Sequence, residues 1–544
     1  MKKVLFVTEA TYLSTGYAVF AKQILDRLLD SGKYEVAELS VYGSQDNPLR
    51  KNIRWKNYPN LPDMQDEDQV KMYNSSPSNQ FGEWRFEKVC LDFKPDIVIS
   101  TRDFWMDSFI QKSTFRRLFK WIWMPTVDAM PQNPEWIALC SDADAVLTYS
   151  DWAIDVLRSQ SDSINIIGRA SPAAESCYIP MSRPDVREEL GIESDTKIVG
   201  TVMRNQRRKQ FPQLIEGFSE YLKKSNDTNT YLYLHTSYPD NGWDLAELFH
   251  RHEVSSRILM TYKCPCGHVE ASHFNDSVKQ CASCKGFRSR PCSVANGVDS
   301  ETMAKIYNSF DLYIQAANSE GLGMSQPEAA ACGIPVATVR YSAMEDIIKH
   351  LEAIPIEPAA LYKEMETGCL RAVVSPSSIA DVISDFFSMS GEARKEKGAR
   401  SRELFLRHYD CDFAASKWME AIDSFGYADW NVPAVIKTID DDKPPELNNK
   451  DFVRWAVSKY LINYGPVAYK YFARVLQRDL NFGFAKMGKG GFLYSDMAID
   501  TKPVERKLTR DDVLALMKAM AEKNNLWEKC RVGLLKLRDE KWMK

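Results

Sequence analysis

The chain has 544 residues, too many for one ordinary core and enough for two or three domains. Its 44% hydrophobic and 26% charged composition is that of a globular protein, and no apolar run approaches the about 20 residues that a membrane span needs. The net charge of −4 is unevenly spread: residues 450–544 hold 20 Lys/Arg against 11 Asp/Glu, a balance of +9, which leaves −13 on residues 1–449. A basic terminal module on an acidic body suits a polyanionic partner, and equally a solvated helical face. Twelve cysteines in so long a chain are not a disulfide scaffold, and the apolar stretch after Met1-Lys2-Lys3 is too short for a signal peptide. A cytoplasmic location is expected.

Residues 3–8 read as a buried strand, and Gly16 opens a helix to about Ser31 with an apolar stripe of Ala18, Ala21, Ile24, Leu25 and Leu28. Strand, loop and helix in that order begin a doubly wound α/β domain, with Ser14-Thr15-Gly16 at the strand C-terminus where ligands bind. Residues 43–85 are polar and read as a surface excursion. Strands resume at 96–100 and 120–124, the second running into PTVDAMP (125–131), where Asp128 is a site candidate or a plain turn residue. Asp142-Ala143-Asp144 is a literal DxD, read as loop and capping residues before a strand at 145–150, with no catalytic metal implied.

Near residues 181–187 the chain crosses to a second domain. A strand at 197–202 feeds the basic loop Met203-Arg204-Asn205-Gln206-Arg207-Arg208-Lys209, and Phe211, Leu214, Ile215 and Phe218 mark the helix behind it. Such a loop suits a diphosphate, which cations hold by charge and hydrogen bonds. Strands follow at 231–236, carrying His235, and at 258–262, ending on Tyr262. Then come Cys264, Cys266, Cys281 and Cys284, two thiolate pairs that suit a structural tetrahedral Zn²⁺; the first pair is one residue tight, so His268 or Cys292 is an alternative ligand. Between Thr261 and Cys292 lie five Lys/Arg and two Asp/Glu, a mildly basic ribbon.

The stretch NSEGLGMSQPEAAACGIPVATV (318–339) reads as loop, short helix and buried strand. Ser325 is the expected N-cap, with Glu328 completing a capping box. The glycine loop ahead of the helix offers free amides to an anion.

Glu320, seven intervening residues and Glu328, followed by AAACGIPV, resembles the signature of retaining nucleotide-sugar glycosyltransferases of the GT-B fold, the family-four type. The resemblance covers roughly residues 1–425, weakly in 43–85 and not in 263–295. It implies that Glu320 lies by the donor sugar and Glu328 holds the ribose. It also implies that the amides of Gly321, Leu322, Gly323 and Met324, with the loop at Gly16, meet sugar and diphosphate. Arg204 and Lys209 fall at the offset of the family's phosphate loop, and strand ends such as Tyr262 face the base. A histidine usual near the reacting carbon is replaced here by Asp128. The leaving diphosphate would be stabilised without a metal, by preorganised charge, and the donor phosphate would take the acceptor proton on the front face.

The expected architecture is therefore α/β, GT-B. Its parts are a Rossmann-like acceptor-side domain (1–180), a nucleotide-sugar domain (181–425) with an inserted zinc ribbon (263–295), a linker (426–449) and a basic helical appendage (450–544). A late helix near 408–425 is expected to cross back to the first domain. The expected cofactors are a UDP- or GDP-type sugar donor and structural zinc. The acceptor expected from the basic ribbon and tail is a nucleic acid, such as a modified DNA base. Glycan, protein or small-molecule acceptors stay open, as does a nucleic-acid-binding protein on an inactive GT-B scaffold.

Overall fold

The computed structural model describes residues 1–430, apart from 14, 114, 276, 277 and 294, together with residues 510, 511 and 514. Apart from those last three positions, the predicted basic appendage and most of the linker lie outside the described residues.

Two sheets carry the molecule. The first has seven strands, all parallel, in the order Lys56–Pro59, Tyr34–Val41, Lys2–Glu9, Ile97–Ser100, Lys120–Trp123, Ala145–Thr148 and Ile166–Arg169. The central strand Lys2–Glu9 is buried along nearly its whole length. A strand covered on both faces reads as a continuous apolar run, and VLFV does so. The polar excursion at 43–85 is more than surface loop: it returns the edge strand Lys56–Pro59, and Trp55 Nε1 donates to the buried Glu38 carboxylate at 2.8 Å. An edge strand half in water has no need of the apolar alternation that marks a central one.

In the second sheet six parallel strands run in the order Ile258–Lys263, Thr230–His235, Lys197–Val202, Leu312–Gln315, Val336–Val339 and Ile354–Ile356. The cysteine ribbon grows from the first of these as antiparallel strands Val269–His273, Lys279–Gln280 and Phe287–Pro291. Asp142 and Asp144 of the DxD pair with Arg116, at 3.3 and 2.9 Å, and Asp144 also with Lys120 at 2.9 Å, so they are structural.

The returning helix is Cys411–Asp423, inside the range expected for it. Trp418 packs on Phe6 of the first sheet, and Lys2 donates to the carbonyls of Ile422 and Phe425 at 2.9 and 2.7 Å. The domains also meet at Asp346, whose Oδ2 accepts from the backbone N–H groups of Asp151 and Trp152 at 2.5 and 3.3 Å. A second-domain carboxylate thus occupies the positive end of the first-domain helix Asp151–Gln160.

Candidate active site

Both sheets present strand C-termini to one cleft, and two cavities occupy it. The larger, about 800 Å³, is lined by Thr15, Gly16, Tyr178, Asp299, Met303, Met324 and Glu328 among others. The smaller, about 470 Å³, is lined by Tyr17, Asp103, Trp105, Thr126, Asp128, Arg208, Glu320 and Arg371. Gly16 and Met324 line both, so the cavities meet where the first-domain loop faces the glycine loop.

Glu320 is the centre of the smaller cavity's floor. Lys209 donates to its Oε1, Gln315 Nε2 reaches the same oxygen at 2.8 Å, and Arg208 holds Oε2 at 3.0 Å. Burial alone would raise this carboxyl, but the charges of Arg208 and Lys209 outweigh it and hold it at about 2. Burial pulls the Lys209 ammonium down to about 8, although Glu320 opposes the shift. Lys209 is therefore a buried cation at neutral pH, with its charge ready for a second anion.

The glycine loop approaches the first domain closely. A Cβ on Gly321 would stand 2.6 Å from Thr126 Cγ2, and Gly323 has φ +79°, which side chains rarely adopt. The helix behind it, Ser325–Ala331, is not capped as expected: Ser325 is its first helical residue, Met324 precedes it in helical conformation, and no side-chain cap bond forms. Glu328 is thereby released from capping, and its Oε2 accepts from Tyr307 Oη at 2.8 Å. Burial raises the Glu328 carboxyl to about 7, with the Tyr307 bond opposing.

Several sequence expectations land elsewhere. Arg204 turns outward, half-exposed, and its Nε and Nη2 pair with Asp240 at 2.8 and 3.1 Å; it lines neither cavity, and Arg208 stands beside Glu320 instead. Tyr262 lines neither cavity: its ring is fully buried and its hydroxyl bonds both N and O of Asn275 at 2.7 Å, tying down the ribbon. His235 lines neither cavity: at the end of its strand it is half-buried and bonded to Thr261 Oγ1 at 2.9 Å, and desolvation pushes its ring down to about 4. Asp128 does line the smaller cavity, held by Arg371 at 2.7 Å.

Two further site residues were not singled out from the sequence. Asp103 follows the strand Ile97–Ser100 and accepts from Tyr17 Oη at 3.0 Å; burial lifts its carboxyl to about 6. An acid just past the C-terminus of a parallel strand was the available signal. Arg371 is the one cation in the strand Leu370–Val374; besides Asp128 it binds Ser319 Oγ at 2.6 Å and Glu364 at 3.1 Å.

The sulfurs of Cys264, Cys266, Cys281 and Cys284 all lie within 4.8 Å of one another, with Cys264–Cys284 at 3.7 Å and Cys266–Cys281 at 3.8 Å. A tetrahedron of sulfurs on bonds of about 2.3 Å has edges of about 3.8 Å, so the set fits Zn²⁺. Neither His268 nor Cys292 belongs to the cluster. Among the described residues no helix is long and apolar enough to cross a membrane.

Residues 289–403, which contain the glycine loop, both glutamates and Arg371, match the family described as Glycosyl transferases group 1. Solved structures share the fold. Sucrose-phosphate synthase from Thermosynechococcus elongatus is 12% identical with a TM-score of 0.57, over 78% of this chain and 99% of that one. A glycosyltransferase from Rickettsia africae is 15% identical with a TM-score of 0.55, over 78% and 98%. Anabaena Alr3699/HepE, solved with UDP, is 12% identical with a TM-score of 0.54, over 78% and 100%. The chain is a glycosyltransferase of the GT-B fold. Among curated proteins none matches its sequence.

Proposed function

We propose that this glycosyltransferase moves a sugar from a nucleoside-diphosphate donor, with retention at the anomeric carbon, onto a nucleic-acid acceptor such as a modified base. The observation that carries the donor half is the cluster of Lys209, Arg208 and Glu320 at the floor of the smaller cavity. A leaving diphosphate needs fixed positive charge as its bond to the sugar breaks, and the buried Lys209 with the partly exposed Arg208, both already held by Glu320, supply it with little reorganisation. Glu320, kept ionised by them, accepts hydrogen bonds from donor-sugar hydroxyls. Glu328 takes the ribose with the carboxylate oxygen that Tyr307 leaves open. The amides of Gly321 to Met324, with the loop at Gly16, complete the anion's surroundings, and Arg204 joins only by leaving Asp240. The Anabaena protein, solved in complex with UDP-glucose, supports a UDP-type donor; a GDP-sugar is the other class to test.

On the acceptor side Asp103 and Asp128 face a cavity walled by Tyr17 and by Trp105, whose exposed indole suits a flat ring. The four ribbon cysteines hold one structural zinc. The basic ribbon and the +9 tail favour a polyanionic acceptor.

Incubation with a panel of UDP- and GDP-sugars, reading donor hydrolysis and transfer to DNA carrying hydroxylated bases, tests both halves. No hydrolysis of any donor overturns the donor site. Hydrolysis with transfer only to glycan, protein or small-molecule acceptors overturns the acceptor.

A further inference from the structure

The cysteine ribbon has a face that the donor site does not use. In the strand Phe287–Pro291, Arg288 and Arg290 are exposed and Ser289 is buried, so both guanidinium groups stand on the outer side, about 6.6 Å apart along the strand. Arg290 pairs in register with Lys263, which sets two like charges directly opposite each other. Such a pair costs stability unless something anionic joins it. Among the described residues no carboxylate pairs with Lys263, Lys285, Arg288 or Arg290, and Glu270 of the same ribbon is taken by Lys279 at 3.4 Å. Lys263 donates instead to the carbonyl of Gly297, next to Val298 and Asp299 in the wall of the larger cavity. The pairing register shifts at this end of the strand, with Lys279 facing Ser289 but Gln280 facing Phe287, so strict alternation stops at Arg288 and does not put Phe287 on the side opposite the arginines; Phe287, at the free end, is 71% exposed.

We infer that this face is a track for single-stranded nucleic acid that leads toward the rim of the cleft, an inference that rests on the nucleic-acid acceptor reading. Phosphates lie on Arg288, Arg290 and Lys263, releasing counterions, and an unpaired base stacks on Phe287. A duplex hides its base faces, and an acidic protein would draw on the charges but not on a bare aromatic ring, so the combination favours the single strand. The like-charge pair is then a binding feature rather than a defect, because a phosphate between Lys263 and Arg290 turns repulsion into two charge-assisted contacts.

Fluorescence anisotropy with a labelled thymidine oligonucleotide, titrated with the full-length protein at several salt concentrations, tests the track. The Arg288→Ala/Arg290→Ala double variant is expected to bind about tenfold or more weakly at low salt. Its salt slope should be shallower by about 1.4, two contacts at about 0.7 each on a single strand. Phe287→Ala is expected to lose about tenfold with an unchanged slope. The zinc content of each variant, equal to that of the parent, shows that the ribbon has kept its fold. Parent-like binding by both variants overturns the track. So does a loss confined to the arginine variant with heparin competing as well as the oligonucleotide, because the face would then serve any polyanion. Sugar transfer read in parallel separates the two ideas. Undiminished transfer to nucleic acid by both variants removes the track and leaves the acceptor, whereas tight binding through this face without transfer to any nucleic acid removes the acceptor.

Discussion

Lys209 and Glu320, 111 positions apart, form a buried ion pair at the floor of the smaller cavity, with Arg208 on the second carboxylate oxygen. The pair joins the basic loop of the second domain to its glycine loop, and an incoming diphosphate must share those cations with Glu320. Lys209→Ala or Arg208→Ala is expected to lower kcat by about 10²-fold or more in a donor-hydrolysis assay. Arg204→Ala, its guanidinium engaged by Asp240 at the surface, is expected to cost less than tenfold. The reverse ranking would return the phosphate role to Arg204.

Two groups of the site titrate close together and in opposite senses. Glu328, raised to about 7 by burial, must lose its proton to accept ribose hydroxyls, so donor binding improves as pH rises through 7. Lys209, lowered to about 8 by burial, must keep its proton to hold phosphate, so binding weakens as pH rises through 8. A narrow bell in kcat/KM between those limits is the expected profile of the free enzyme. Glu328→Gln should flatten the acid limb, and Lys209→Arg, always charged, the alkaline one. A profile flat from pH 6 to 9 would remove both assignments.

Metal analysis of protein purified without added zinc should find about one equivalent, and Cys281→Ser should lose it. Chelation is expected to raise hydrogen exchange in the ribbon before the two sheets open, since an inserted module can unfold locally. A fully folded, metal-free preparation with unchanged exchange would exclude a structural ion.

Asp346→Ala removes the carboxylate that receives the N–H groups of Asp151 and Trp152 across the domain boundary. Loss of such a cap costs about 1 kcal/mol, expected as a Tm drop of about 2–4 °C by calorimetry. An unchanged Tm would mean that water replaces it without cost.

The parts legible in the sequence are those with local causes. Apolar runs such as VLFV and the capped helix Gly16–Asp30 announce the strand–loop–helix order, and the spacing of Glu320 and Glu328 marks the loop between them. Side-chain direction was not legible. Arg204 and Arg208 share one basic loop, and only the position of Asp240 decides which of them reaches Glu320. Ser325 carries a good capping residue type, but Met324 before it is already helical and the Ser325 hydroxyl is engaged by Tyr313 of the neighbouring strand, so the local rule gives way to a tertiary partner. Tyr262 ends a strand in the right place, yet the inserted ribbon covers it with Asn275. Arg371 comes from a hairpin beyond the Glu320–Glu328 signature, and its partners Asp128 and Ser319 lie far from it along the chain.

The contact of Phe6 with Trp418, backed by Lys2 on the carbonyls of Ile422 and Phe425, reverses the usual order of maturation. Domains generally fold as they leave the ribosome, the N-terminal one first. Here the first sheet is encoded first but lacks one wall until the helix Cys411–Asp423 has been synthesised, while the second domain's sheet, spanning residues 197–356, is complete earlier. The nascent N-terminal half must therefore wait with part of its apolar surface uncovered. A chain stopped before residue 411 would carry every residue of the proposed donor site and still leave Phe6 without its cover.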